Sequence, residues 1–144
     1  MRLSIAFVAA LLTTYVVAVL GYTQLNLANL VEMGVDVSLG VRFESAFHDL
    51  LGMTGLYLPI ISVVLILGFG VTRLLLIWLS ELRTLGYVLG GFVAIFAVDF
   101  VLGQLTGAHP LAVTRTTAGL LSQCVAGGLG GYVFSLVSVP PKSD

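Results

Sequence analysis

Four apolar stretches, each about as long as a bilayer is thick, take up most of this chain and leave little else to fold. A hydrocarbon core of about 30 Å is crossed by about 20 helical residues at 1.5 Å rise each. The stretches are Leu3–Tyr22, Met53–Thr72, Thr84–Gly103 and Ala112–Phe134. Lipid offers the backbone no hydrogen-bond partners, so apolar runs of this length imply helices that satisfy their own N–H and C=O groups. Composition agrees: 9% of residues are charged, against about 25% in soluble domains. The fold class implied is an all-α membrane protein, one polytopic domain over residues 1–144, with four transmembrane helices in an antiparallel bundle.

The second span has no sharp end at Thr72. Leu74 to Leu79 continue the apolar run as far as Trp78, with Arg73 inside it. A helix extending to residue 78 is predicted, Arg73 snorkelling and Trp78 anchoring at the interface. Glu81 and Arg83 then mark a tight turn into the third span. With the N-terminus cytoplasmic, Arg2, Arg73, Arg83 and Lys142 fall inside, and Arg42 and Arg115 outside. The positive-inside rule therefore puts both termini, including the tail 138–144, in the cytoplasm. The location expected is the bacterial inner (cytoplasmic) membrane. A competing reading of the first span is a signal peptide cut after Val19-Leu20-Gly21, but its apolar run of about 20 exceeds the usual 7–15.

Residues 24–51 form the one longer loop, extracytoplasmic in this orientation. From Val35 to Glu44 apolar and polar residues alternate, the period of a half-buried strand. Next, Phe43, Phe47, Leu50 and Leu51 recur at helical spacing, as in an amphipathic helix on a membrane surface. A short strand followed by a helix is predicted, with the switch near Phe43 and Glu44. A lone strand needs an outside partner for its backbone, which would make the loop a docking element.

Tight helix packing in lipid relies on small residues and interhelical hydrogen bonds. The fourth span has Gly119, Gln123, Ala126 and Gly130 on one stripe, and Gly127 and Gly131 as a small-xxx-small pair. The third has Gly86 and Gly90 at the same spacing. These are helix-contact faces. Pro59, inside the second span, predicts a kink toward Gly55.

Asp99 is an acid within the third span, which by default marks a function or a partner. It lies about one turn inside the outer end, and Arg115 lies at similar depth on the fourth span, so an ion pair is expected, with Gln123 as a further intramembrane polar group. At 100° per residue Asp99 falls opposite Gly90. Either the glycines or the acid can face the fourth span, and the other must meet a different neighbour.

Glu44 and His48 are four apart, a legitimate metal-ligand spacing, and His109 follows in the outer turn. No metal motif accompanies them. No cofactor is expected: both histidines lie in loops, which does not suit a haem held between spans. Ser122, Thr116 and Cys124 have no histidine at their depth to act as a base. The net charge of −1 leaves no basic patch for nucleic acid. The expected partners are the lipid bilayer and other membrane subunits, or further copies of the chain. The function expected is non-enzymatic: an accessory, scaffold or assembly subunit working through helix–helix and outer-loop contacts. The alternatives are an oligomeric small transporter or channel using Asp99, and a metal-dependent membrane enzyme with an outer-face site.

Overall fold

A chain this apolar solves its backbone hydrogen bonding by local helices, and nearly all of it does so. The structure, a computed structural model, describes residues 2–78, 80–106 and 116–138. These form α1 (Arg2–Glu32), α2 (Leu39–Gly52), α3 (Tyr57–Leu76), a 3-10 turn (Ser80–Leu82), α4 (Arg83–Thr106) and α5 (Thr117–Val137). α1, α3, α4 and α5 are long and apolar enough to cross a membrane, so the protein is a multi-pass membrane protein.

The first helix runs well past its expected end at Tyr22, because nothing in Thr23–Glu32 breaks a helix. It stops at Gly34, the one residue with positive φ (85°) among those described. The Gly34 N–H donates to the Val31 carbonyl and the Val35 N–H to the Leu30 carbonyl, the pairing that closes a helix through a left-handed glycine. At 31 residues α1 is about 15 Å longer than the 21-residue α5.

No strand occurs among the described residues, so the strand predicted over Val35–Glu44 is replaced by a turn and the start of α2. Ser38, one of the polar positions in that alternation, is the N-cap: its hydroxyl accepts from the Val41 N–H at 3.4 Å. The alternation coincides with a weaker helical pattern, and the helix prevails because it needs no partner strand to satisfy its backbone.

Pro59 is the third residue of α3, not an interior one. First-turn N–H groups have no intrahelical acceptor, so the proline costs no hydrogen bond and no kink is required there. α3 also ends two residues short of Trp78, which stands exposed beyond it. α5 begins at Thr117, where the Thr116 hydroxyl accepts from the Gly119 N–H at 3.1 Å; the expected start of the fourth span at Ala112 lies outside the described residues.

α5 is the most enclosed span and packs along both α1 and α4, while α3 packs on α4 and touches α1 less. Neighbours meet in opposite sequence order. Gly68, Thr72 and Leu76 of α3 meet Ala94, Gly90 and Gly86 of α4. α4 residues Tyr87 and Gly91 meet α5 residues Gly131 and Gly127, and α1 residues Thr14 and Ala18 meet Gly130 and Gln123. We call the end where α1 starts proximal and the other distal.

Candidate functional site

The membrane interior holds two kinds of cement, and they sit at different depths. Through the proximal and middle parts it is close backbone contact at glycines. A Cβ on Gly91 would overlap the Gly127 carbonyl, and one on Gly131 would overlap the Tyr87 carbonyl. Each glycine thus admits the neighbouring backbone itself, which only a residue without a side chain can do. Gly127 and Gly131 lie on the face of α5 turned to α4, whereas Gly130 lies on the face turned to α1, against Thr14 and the Ala10 carbonyl. Gly119 and Ala126 are buried in the same helix. Phe69, Tyr87 and Phe134 close the proximal end, with ring centroids 4.6 to 5.7 Å apart. There the Arg83 guanidinium donates to the Ser138 hydroxyl at 2.7 Å.

Toward the distal end every span contributes a polar group to one layer. The Gln123 side chain, fully buried, accepts from the Tyr57 hydroxyl at 2.5 Å and donates to the Ala18 carbonyl at 3.0 Å. One amide therefore joins α5 to α3 and α1. The Tyr15 hydroxyl donates to the Leu50 carbonyl at 2.6 Å and lies 3.0 Å from the Thr54 hydroxyl, with its ring 6.3 Å from that of Tyr57. Asp99, also buried, brings α4 into this layer. It lines a void of about 20 Å³ with Tyr57, Ile60, Ile61, Val64, Ile95 and Val98.

Gly86 and Gly90 therefore face α3: a Cβ on Gly86 would lie 2.9 Å from Leu76 and one on Gly90 would overlap the Thr72 hydroxyl. The glycine that serves α5 is Gly91, one residue along and so about 100° around the helix. The pairing of Asp99 with Arg115 concerns a residue outside the described ones, as does His109. Among the described residues no three His, Cys, Asp or Glu side chains come together to hold a metal. Glu44 and His48 stand exposed on α2.

Sequence reasoning missed Tyr15 and Tyr57. A tyrosine in an apolar run must find a partner for its hydroxyl when buried, and that was the available signal. It also missed how α2 is fastened. The Thr23 hydroxyl donates to the Asp49 carboxylate at 2.7 Å, and the Arg42 guanidinium donates to the Gln24 amide oxygen at 2.9 Å. Ala46, Leu50 and Met53 also turn inward. Leu39, Phe43, Phe47 and Leu51, four apart along one stripe, are left outside, with Phe43 77% and Phe47 65% exposed. A second apolar surface is the groove of about 660 Å³ between α3 and α4, where Thr72 is the one polar side chain and already bonds its own helix at Gly68.

Comparison of the chain with protein-family models, curated proteins and solved structures finds no match.

Proposed function

We propose that this protein is a non-enzymatic accessory or scaffold subunit of the bacterial inner membrane, an antiparallel four-helix bundle that presents its distal helical hairpin to another membrane protein. The observation that carries this reading is the orientation of α2. An amphipathic helix ordinarily turns its apolar stripe to its own chain. Here the residues holding α2 on α1 include Arg42 and Asp49, while Leu39, Phe43, Phe47 and Leu51 point away. Such a stripe is stabilised only by something outside the chain, lipid or protein. Lys and Arg placement supports both termini being cytoplasmic, which puts α2 on the outer face.

Stoichiometric association is expected when the tagged protein is isolated in mild detergent, with a second component retained through size exclusion. Phe43→Ser with Phe47→Ser should release that component while the helix content of the bundle is unchanged. A monodisperse monomer carrying nothing but detergent and lipid overturns the reading. The transporter alternative draws its support from the buried pair Asp99 and Gln123. An Asp99→Asn variant that leaves a reconstituted flux unchanged removes it.

A further inference from the structure

The groove between α3 and α4 lies on two membrane spans, so what fills it must come from the membrane. Its depth has a local cause. Gly68 packs on Ala94 and Gly90 on Thr72, which draws the two helices together along a floor. Leu67, Val71 and Leu75 of α3 and Leu85, Leu89 and Val93 of α4 stand beside that floor as walls, each more than half exposed. The space between them is about 660 Å³, the size of a small-molecule site.

Two kinds of occupant compete for such a groove, a helix and a lipid chain. A helix seat in lipid needs small residues or hydrogen-bonding groups within reach. The protein's own seams have them: Gly91, Gly127 and Gly131 between α4 and α5, and Gln123 between α5 and α1. The groove has little of either left. Gly68, Gly86 and Gly90 are taken up by contact between α3 and α4, and the Thr72 hydroxyl donates to the Gly68 carbonyl at 2.8 Å. Ala97 is the one small side chain that lines it exposed. A helix, about 10 Å across, would rest on the leucines and leave the floor empty. A single hydrocarbon chain is thin enough to reach the floor and touch both walls, gaining dispersion contact that a void forfeits.

The lining agrees with that choice. Among the described residues it has no aromatic side chain on which a ring would stack and no charged one. Along α3 the groove runs from Leu76 to Val64, about 18 Å of helix. The hydrocarbon of one leaflet is about 15 Å deep. At the proximal end the groove reaches Leu82 in the 3-10 turn.

We propose that this groove binds one phospholipid acyl chain, laid lengthwise between α3 and α4 and recognised by shape and apolarity, with its headgroup at the proximal interface beside the 3-10 turn.

The test uses the full chain in nanodiscs doped with a phospholipid that carries a photoactivatable diazirine at mid-chain. Adducts are mapped by peptide mass spectrometry before and after a chase with unlabelled phospholipid. Val8, Leu12 and Val16, exposed on α1, report ordinary boundary lipid. Labelling of the α3 and α4 walls should exceed that of α1 several-fold, saturate at one adduct per chain, and outlast the chase. Val71→Trp with Val93→Trp fills the groove from its walls without entering the α3–α4 contact. That variant should keep its helix content and its α1 labelling while losing the retained adduct. Equal labelling of the groove and α1, chased at the same rate, means boundary lipid only and overturns the proposal. So does an unlabelled groove in a protein that runs as a dimer, which would seat a helix of a second copy there, or a doubly substituted protein that keeps the adduct.

Discussion

The proximal and distal halves of this bundle solve the same problem by opposite means. Lipid tails are as apolar as leucine, so helices in a membrane gain nothing from apolar burial alone and must find contact or hydrogen bonds. The proximal and middle parts use contact: Gly91, Gly127 and Gly131 bring α4 and α5 backbone to backbone. The distal half uses hydrogen bonds: Tyr57, Gln123 and the Ala18 carbonyl tie three helices at one level. Contact of this kind is intolerant of added volume, whereas hydrogen bonds are intolerant of a lost partner. Substitutions that add or remove one group should therefore separate the halves.

The largest effect is expected at Gly131→Ala. Its methyl group would overlap the Tyr87 carbonyl, which is backbone and cannot rotate away. α4 and α5 must part along their length, a cost of about 3 kcal/mol, the upper end of ordinary overpacking. Thermal unfolding in detergent reads this directly. Adding Gly91→Ala should cost less than its own single effect, because the shift that admits one methyl largely admits the other. Full additivity would mean that the two glycines do not share one seam.

Gln123→Leu should rank second. It removes the acceptor of Tyr57 and the donor to Ala18 while keeping volume. An unpaired buried group costs about 1–3 kcal/mol in soluble proteins. Measured interhelical hydrogen bonds in membranes average nearer 0.6 kcal/mol, since the separated helices find other partners. A loss of about 1–2 kcal/mol is expected for the two bonds together. A cycle with Tyr57→Phe should return a coupling of about 0.6–1.7 kcal/mol. A Gln123→Leu protein as damaged as Gly131→Ala would reverse the ranking of the two halves.

How much of this was legible beforehand follows the same division. Spans and glycine positions are written in composition and spacing, so four helices could be read to within a few residues at most ends. Which glycine faces which helix could not. Gly90 and Gly91 are adjacent in sequence yet serve α3 and α5 respectively, and only the relative placement of three helices separates them. Asp99 and Gln123 were visible as polar residues in apolar runs, but Tyr15 and Tyr57 pass as ordinary aromatics until their hydroxyls are placed. The error over Val35–Glu44 has a different cause. Period-two and helical patterns overlap there, and Ser38 fits an alternating strand as well as it fits an N-cap.

At the distal edge a smaller effect is expected from Thr23→Val, which keeps shape and removes the hydroxyl that donates to Asp49. The bond is partly buried, so about 0.5–1.5 kcal/mol is at stake, a typical net value for one hydrogen bond. The loss should fall on α2 alone, because α2 rests on α1 and on little of the other spans. Hydrogen exchange should quicken in Leu39–Gly52 and remain unchanged in α5. Faster exchange throughout would show that the hairpin and the bundle unfold as one unit.

The smallest effect is the most discriminating. Gly70 lies in α3, as helical as Gly68 two residues before it, yet a Cβ at Gly70 would meet nothing within 4 Å. At Gly68 it would lie 2.6 Å from the Ala94 methyl. If glycines matter here through what they touch, Gly70→Ala should be neutral or stabilising by up to about 1 kcal/mol, the gain in helix propensity over glycine. Gly68→Ala should destabilise, because two methyl groups cannot share that space without α3 and α4 moving apart. Unfolding curves of the two variants side by side make the comparison. Equal losses at both positions would mean that glycine acts through the flexibility of α3, and the contact account of the proximal seam would fall with it.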